Sequence, residues 1–184
     1  MMHRVTKAAT KREVLDLLEP LLRDWFGSKF TDLTEPQAYA VPLIHARQNV
    51  LVSSPTGSGK TLTAFLSIIN ELYAKQLRGE LEDRIYAVYV SPLKALANDI
   101  NRNLDTPLRE MTDLAVREGK PAPEIRVAVR SGDTTSQERQ RQVRRPPHIF
   151  ITTPESLAII LSTPKFRERF ADVEWVILDE IHEV

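Results

Sequence analysis

The stretch LVSSPTGSGKT (51–61) constrains this chain more than any other part of it. A short apolar run enters a loop of small residues, and a helix-forming segment leaves it. Gly57 and Gly59 let the backbone approach an anion and turn its amides inward. The next helix is expected to start at Lys60, so its free N–H groups and positive dipole end face the same point. Ser54, Pro55, Thr56, Gly57, Ser58, Gly59, Lys60 and Thr61 therefore read as a cradle for a nucleotide's phosphates. Lys60 would add a point charge at the β- and γ-phosphates, and Thr61 a hydroxyl for Mg²⁺. The general pattern has Gly at the first position, where this chain has Ser54.

From Asn49 onward, short apolar runs alternate with helical stretches. The runs are NVLVS (49–53), RIYAVYV (84–90), IRVAV (125–129), HIFIT (148–152) and EWVIL (174–178). None alternates strictly between apolar and polar, which predicts strands buried on both faces. The segments between them predict helices: a stripe of Leu62, Phe65, Leu66, Ile69 and Tyr73, then 93–118, 134–145, 155–161 and 164–170. Strand alternating with helix predicts an α/β fold, a mostly parallel sheet with helices on both faces. The first third reads as helices alone. Thr10 and Glu13 have capping-box spacing, Pro20 restarts a helix with Leu21, Leu22, Trp25 and Phe26 on its apolar face, and Gly27 is the expected stop. Another helix should follow Thr34 and run to about His45. Residues 1–30 thus form an expected N-terminal helical extension, and 31–184 the main domain.

Composition excludes several classes. There are no cysteines, so a disulfide framework, a thiolate metal site and a Cys nucleophile are ruled out. His3, His45, His148 and His182 are scattered, without zinc-ligand spacing. Lys+Arg and Asp+Glu are both 25, so any nucleic-acid partner must meet a local patch. No apolar run reaches the ~18 residues a membrane helix needs, and the N-terminus lacks the apolar core of a signal peptide. A cytoplasmic protein with no membrane partner is the default expectation.

The last nine residues, VILDEIHEV (176–184), carry the second chemical signal. A buried strand ending in Asp-Glu puts carboxylates at the carboxyl edge of a parallel sheet, where the phosphate loop is also expected and where such folds bind ligands. Asp179 is then placed to accept a water of the Mg²⁺ shell. Glu180 is placed to orient and deprotonate a water attacking the γ-phosphate. Loop and acids together resemble superfamily 2 helicases of the DExH type, from about Phe30 to the end. Ser54 fits that family. Within it the chain resembles the large helicase-related (Lhr) group, on FTDLTEPQ, SSPTGSGKT, SPLKALAND, GDTTSQER, TTPESL and WVILDEIHEV in this order.

The resemblance implies an N-terminal RecA-like domain that uses ATP and Mg²⁺ to move along a single strand of DNA or RNA. It implies adenine recognition by Gln37, although Thr34 and Gln37 also have the spacing of a plain capping box. Two Ser/Thr-Pro turns would grip successive phosphates, making Pro92, Leu93, Lys94, Thr153, Pro154 and Glu155 candidate contacts. Ser91 and Thr153 also read as helix caps, and a capped N-terminus is itself a phosphate site. Gly132 and Asp133 match a strand-binding loop of the family, or a plain turn. Arg141, Arg144 and Arg145 read first as a solvated helix face and second as a basic patch. His182 would couple the nucleotide and nucleic-acid sites. The family's motor also has a Ser-Ala-Thr strand and a second RecA-like domain with an arginine finger, neither of which follows here. This predicts a chain that binds nucleotide but does not unwind alone. Rival readings are a translocase that never separates strands, a P-loop switch or kinase unrelated to nucleic acid, and a non-catalytic nucleic-acid module.

Overall fold

The computed structural model describes residues 4–55, 57–92 and 101–181. The chain divides into two compact units, Met1–Arg78 with Arg102–Pro123, and Gly79–Asn101 with Glu124–Val184.

The first unit is helical. α1 (Lys11–Leu15) opens on the expected capping box: Thr10 Oγ1 accepts from the Glu13 N–H (3.2 Å), and Glu13 Oε2 accepts from the Thr10 N–H (2.7 Å). α2 (Pro20–Lys29) starts on its proline and buries Leu21, Leu22, Trp25 and Phe26. It does not stop at Gly27. The last turn closes through the Phe30 N–H on Phe26 O (3.0 Å), and the Phe26 and Phe30 rings lie 4.6 Å apart. This aromatic packing carries the helix past a glycine that needs no positive φ. α3 (Glu35–His45) packs on α4 (Lys60–Leu77), and α5 (Thr106–Glu118) packs on α2. The expected stripe of α4 is buried, and the buried surface also takes in Ile68, Leu72 and Asn70. Asn70 ties α4 to the segment before α2, since its Oδ1 accepts from the Glu19 N–H (2.6 Å) and its Nδ2 donates to Leu17 O (3.2 Å). Residues 93–100 of the helix expected over 93–118 lie outside the described residues.

The second unit holds the sheet: β1 (Ala87–Val90), β2 (Val127–Arg130), β3 (Ile149–Thr152) and β4 (Trp175–Leu178), all parallel, in the order β2-β3-β1-β4. Ala87 sits opposite Ile149 and Trp175, and Val127 opposite Ile149. β1 and β3, in the middle, are buried at every position. Val88, Val90 and Phe150 form one face of the core with Ile160 of α7 (Pro154–Leu161) and Phe166 of α8 (Pro164–Arg167). α6 (Ser136–Arg144) connects β2 to β3. His148 is buried at 1 % exposure, where its Nδ1 accepts from the Arg126 N–H (3.2 Å).

Two strand expectations are corrected. Residues 49–53 form no strand: no described strand pairs with them, and Leu51 is 60 % exposed. An apolar run becomes a strand only when neighbours take its backbone hydrogen bonds. The expected two-sided burial also fails for β2 and β4. These are the edges, and Val176 and Leu178 of β4 are 63 % and 49 % exposed. Among the described residues no helix is long and apolar enough to cross a membrane.

Candidate functional site

The expected phosphate loop lies in the first unit. Gly57 and Gly59 have φ of +79° and +88°, the left-handed region that side chains resist. Gly59 is the residue before α4, so the helix starts at Lys60 as its position requires. Ser54 Oγ and Ser58 Oγ share a hydrogen bond of 2.6 Å across the loop. That bond gives the serine at the first position a structural role. Lys60 Nζ donates to Ser54 O (2.5 Å) and Pro55 O (2.9 Å), so the ammonium is held over the loop it is expected to serve. Thr61 is half-buried in the first turn of α4. Thr56 lies outside the described residues.

Gln37 packs against this loop from α3. Its Oε1 accepts from the Thr34 N–H (2.8 Å), the capping contact expected from spacing, and the residue is 1 % exposed. Thr34 and Gln37 form the two-way arrangement of a capping box, and the Thr34 hydroxyl is buried without a strong hydrogen bond among the described residues. A Cβ on Gly59 would stand 3.2 Å from Thr34 Oγ1 and 3.7 Å from Gln37 Nε2. The cap is therefore formed, and it touches the phosphate loop.

The acids lie in the second unit. Asp179 follows β4, where its N–H donates to Val90 O (2.9 Å). Its Oδ1 accepts from the Glu180 N–H (2.9 Å), and its Oδ2 accepts from the Tyr89 hydroxyl (2.5 Å). Tyr89, buried in β1, holds the carboxylate from the neighbouring strand. Sequence reasoning missed it. The available signal was a tyrosine inside an otherwise apolar strand, because a buried hydroxyl requires a partner. Glu180 has φ +49°, uncommon for a residue with a side chain and consistent with a turn under local constraint. Asp179 and Thr61 are hard oxygen donors of the kind Mg²⁺ takes. His182 lies outside the described residues.

The candidate strand contacts also belong to the second unit. Gly132 and Asp133 form the exposed tip of a turn in which the Ser131 N–H donates to Thr134 Oγ1 (2.9 Å). Thr153 caps α7, accepting from the Ser156 N–H (3.3 Å), with Pro154 and Glu155 in the first turn. Thr152 Oγ1 donates to Arg130 O (2.8 Å), joining the ends of β3 and β2. Pro92 is half-buried after β1, while Leu93 and Lys94 lie outside the described residues. Thr163 repeats the Thr-Pro pattern but makes no capping bond, and its helix is four residues long.

A family model for DEAD/DEAH box helicases matches residues 34–184. The chain belongs to that family. This DEAD/DEAH-box chain is 58 % identical over 173 residues to the ATP-dependent helicase Lhr-Core protein 2 of Thermococcus barophilus, covering 94 % of this chain and 20 % of that one. It is 56 % identical over 182 residues to the ATP-dependent helicase Lhr-Core of Methanothermobacter thermautotrophicus, covering 99 % and 21 %. Its fold matches the Mycobacterium smegmatis helicase Lhr bound to ssDNA and AMP-PNP with a TM-score of 0.81 and 46 % identity, over 93 % of this chain and 21 % of that one. The likeness is to the Lhr group, and the fold is RecA-like. The chain spans about a fifth of the length of the curated relatives it matches.

Proposed function

We propose that this chain is the N-terminal ATP-binding part of an ATP-dependent helicase that moves along one strand of DNA or RNA. The observation that carries the reading is the phosphate loop: two left-handed glycines and a helix starting at Lys60, inside a match to the helicase family over residues 34–184. The Mycobacterium smegmatis helicase Lhr, at 46 % identity, is bound to ssDNA and AMP-PNP, which supports both ligand classes.

In this reading residues 54–61 cradle the phosphates, and Lys60 exchanges its two loop carbonyls for phosphate oxygens. Gln37 contacts adenine. Its Oε1 serves the Thr34 cap with one lone pair and keeps a second, while Nε2 supplies the donor. Thr61 and Asp179 would hold Mg²⁺, which supplies charge neutralisation at the phosphates. Tyr89 fixes the Asp179 rotamer for that task. Glu180 orients the attacking water and takes its proton. Pro92, Leu93, Lys94, Gly132, Asp133, Thr153, Pro154 and Glu155 meet the strand through its phosphates, so sequence preference is slight and salt sensitivity high. His182 links the two sites, and a second RecA-like domain of the full-length protein completes the cleft. Residues 1–30 are an extension on the domain 31–184, and the protein works in the cytoplasm.

The test is calorimetry of Mg-ATP on this chain with GTP as competitor. Tight ATP binding that Lys60→Ala abolishes, that Gln37→Ala weakens and that GTP fails to displace is the expected result, with no unwinding by the chain alone. A folded chain that binds GTP as well as ATP would overturn the adenine assignment.

A further inference from the structure

α3 carries a proline inside the helix, Pro42. A proline has no N–H, so the bond that residue 42 would give to the carbonyl four residues back is missing. Its ring also crowds that carbonyl away from the helix axis. The carbonyl is Ala38 O, and Ala38 follows Gln37 in the chain. A half-buried carbonyl that has lost its helical partner needs another donor. Here the donor is the Ala9 N–H, at 2.9 Å, from the segment that precedes α1. Lys11 holds the same stretch at its other end: Nζ donates to Phe30 O (2.5 Å) and to Thr31 O (3.1 Å).

Residues 9–11 therefore grip the stretch 30–38 at both ends, with Thr34 and Gln37 between the two grips. The gripping residues are themselves fixed, because Thr10 lies between Ala9 and Lys11 and makes the capping box of α1 with Glu13. All of these groups belong to the first compact unit. A loose N-terminal tail would leave its amide and ammonium to water, and a proline tolerated as a plain kink would leave Ala38 O to water as well. Instead the acceptor that Pro42 opens and the donor from the tail meet each other. The consequence falls on Gln37. Its Nε2 would stand 3.7 Å from a Cβ on Gly59, so the seating of the first turn of α3 sets where this amide lies against the expected phosphate loop.

We propose that residues 9–11 are a positioning clamp for the nucleotide site: Pro42 opens the Ala38 carbonyl, the Ala9 N–H and the Lys11 ammonium hold the stretch 30–38, and Gln37 is thereby set for adenine. The positioning role rests on the nucleotide reading above; the clamp itself does not.

The experiment compares Mg-ATP with inorganic tripolyphosphate, which can meet the phosphate loop but has no base, by calorimetry on the intact chain. Ala9→Pro removes the donor. Pro42→Ala gives α3 its own N–H for Ala38 O and relieves the crowding. Each should weaken Mg-ATP by about fivefold, the scale of one hydrogen bond, and leave tripolyphosphate affinity unchanged. Ala9→Ser keeps the N–H and should bind both ligands as the wild type does, with circular dichroism confirming the fold of each variant. Equal losses for the two ligands would mean that the segment only supports the fold, and would overturn the positioning role. Unchanged Mg-ATP affinity in both Ala9→Pro and Pro42→Ala would overturn it too. Amide hydrogen exchange reads the clamp without any nucleotide. The Ala9 amide should be protected in the wild type and lose that protection in Pro42→Ala, and an unprotected Ala9 amide in the wild type would overturn the clamp. A wild type that holds tripolyphosphate as tightly as Mg-ATP would overturn the adenine reading and the positioning role with it, and the Ala9 amide would then decide the clamp alone.

Discussion

The starts of α3 and α6 use one local design in two settings. Each has a threonine at the cap and an acceptor three residues on. At α6 the design is complete and exposed: Thr135 Oγ1 accepts from the Glu138 N–H (3.3 Å), and Glu138 Oε2 accepts from the Thr135 N–H (3.0 Å). At α3 the same two-way arrangement is present, Gln37 is buried, and the Thr34 hydroxyl would meet a side chain placed at Gly59 of the expected phosphate loop. The exposed copy is closed by bonds between Thr135 and Glu138. The buried copy lies against the candidate site. Burial, rather than the four-residue pattern, separates the two copies.

That contrast can be sharpened or broken by measurement. The largest effect should come from acid. Burial, and then the charge of Arg126, push the His148 pKa down to about 4. The unfolded state therefore binds the proton first. Stability is full above pH ~6.5 and falls as pH drops from there towards 4, by about 3 kcal/mol at most. His148→Asn, which keeps an acceptor near the Arg126 N–H, should flatten that slope in denaturant titrations; an unchanged slope would show that burial does not set this group's behaviour. The exposed Glu138 carboxyl has its pKa lowered by the side-chain and then the backbone bond of Thr135. Its contribution is present above its ordinary value and is lost only as pH falls through the lower folded one.

Gly59→Ala should come next. A side chain at φ +88° costs about 1–2 kcal/mol, and its Cβ also meets Thr34. Thermal unfolding should register the loss, and Mg-ATP affinity should fall with it. Gln37→Ala should cost about 1 kcal/mol as a cap and should also weaken ATP. If stability falls while ATP affinity holds, Gln37 is a cap only. Glu138→Ala should give the smallest shift in Tm and none in ATP binding. A larger shift there than at Gln37 would break the comparison.

Much of this was legible beforehand because it is local. Gly57 and Gly59 announce left-handed backbone, Thr10 announces a helix start, and strands at 87–90, 127–130, 149–152 and 175–178 fall on or overlap the expected apolar runs. What was misread depended on neighbours. Gly27 gave no stop because Phe26 and Phe30 pack across it, and β4 is half exposed because it lies at an edge. Leu51 belongs to a run that looks like a strand and has no described strand beside it.

The sequence by itself determined the chemistry available: a lysine and glycines at one loop, two adjacent acids at one strand end, and arginines spread from 130 to 145. Tertiary structure alone decided which of those groups meet. Tyr89 reaches Asp179 because parallel register sets β1 beside β4. Arg139 reaches Thr134 O and Gly132 O because the chain turns there from β2 into α6. Covalent order fixes which groups exist and where helices begin. Contacts between residues far apart in the chain follow from burial and strand pairing, whose energies depend on neighbours that no local pattern names.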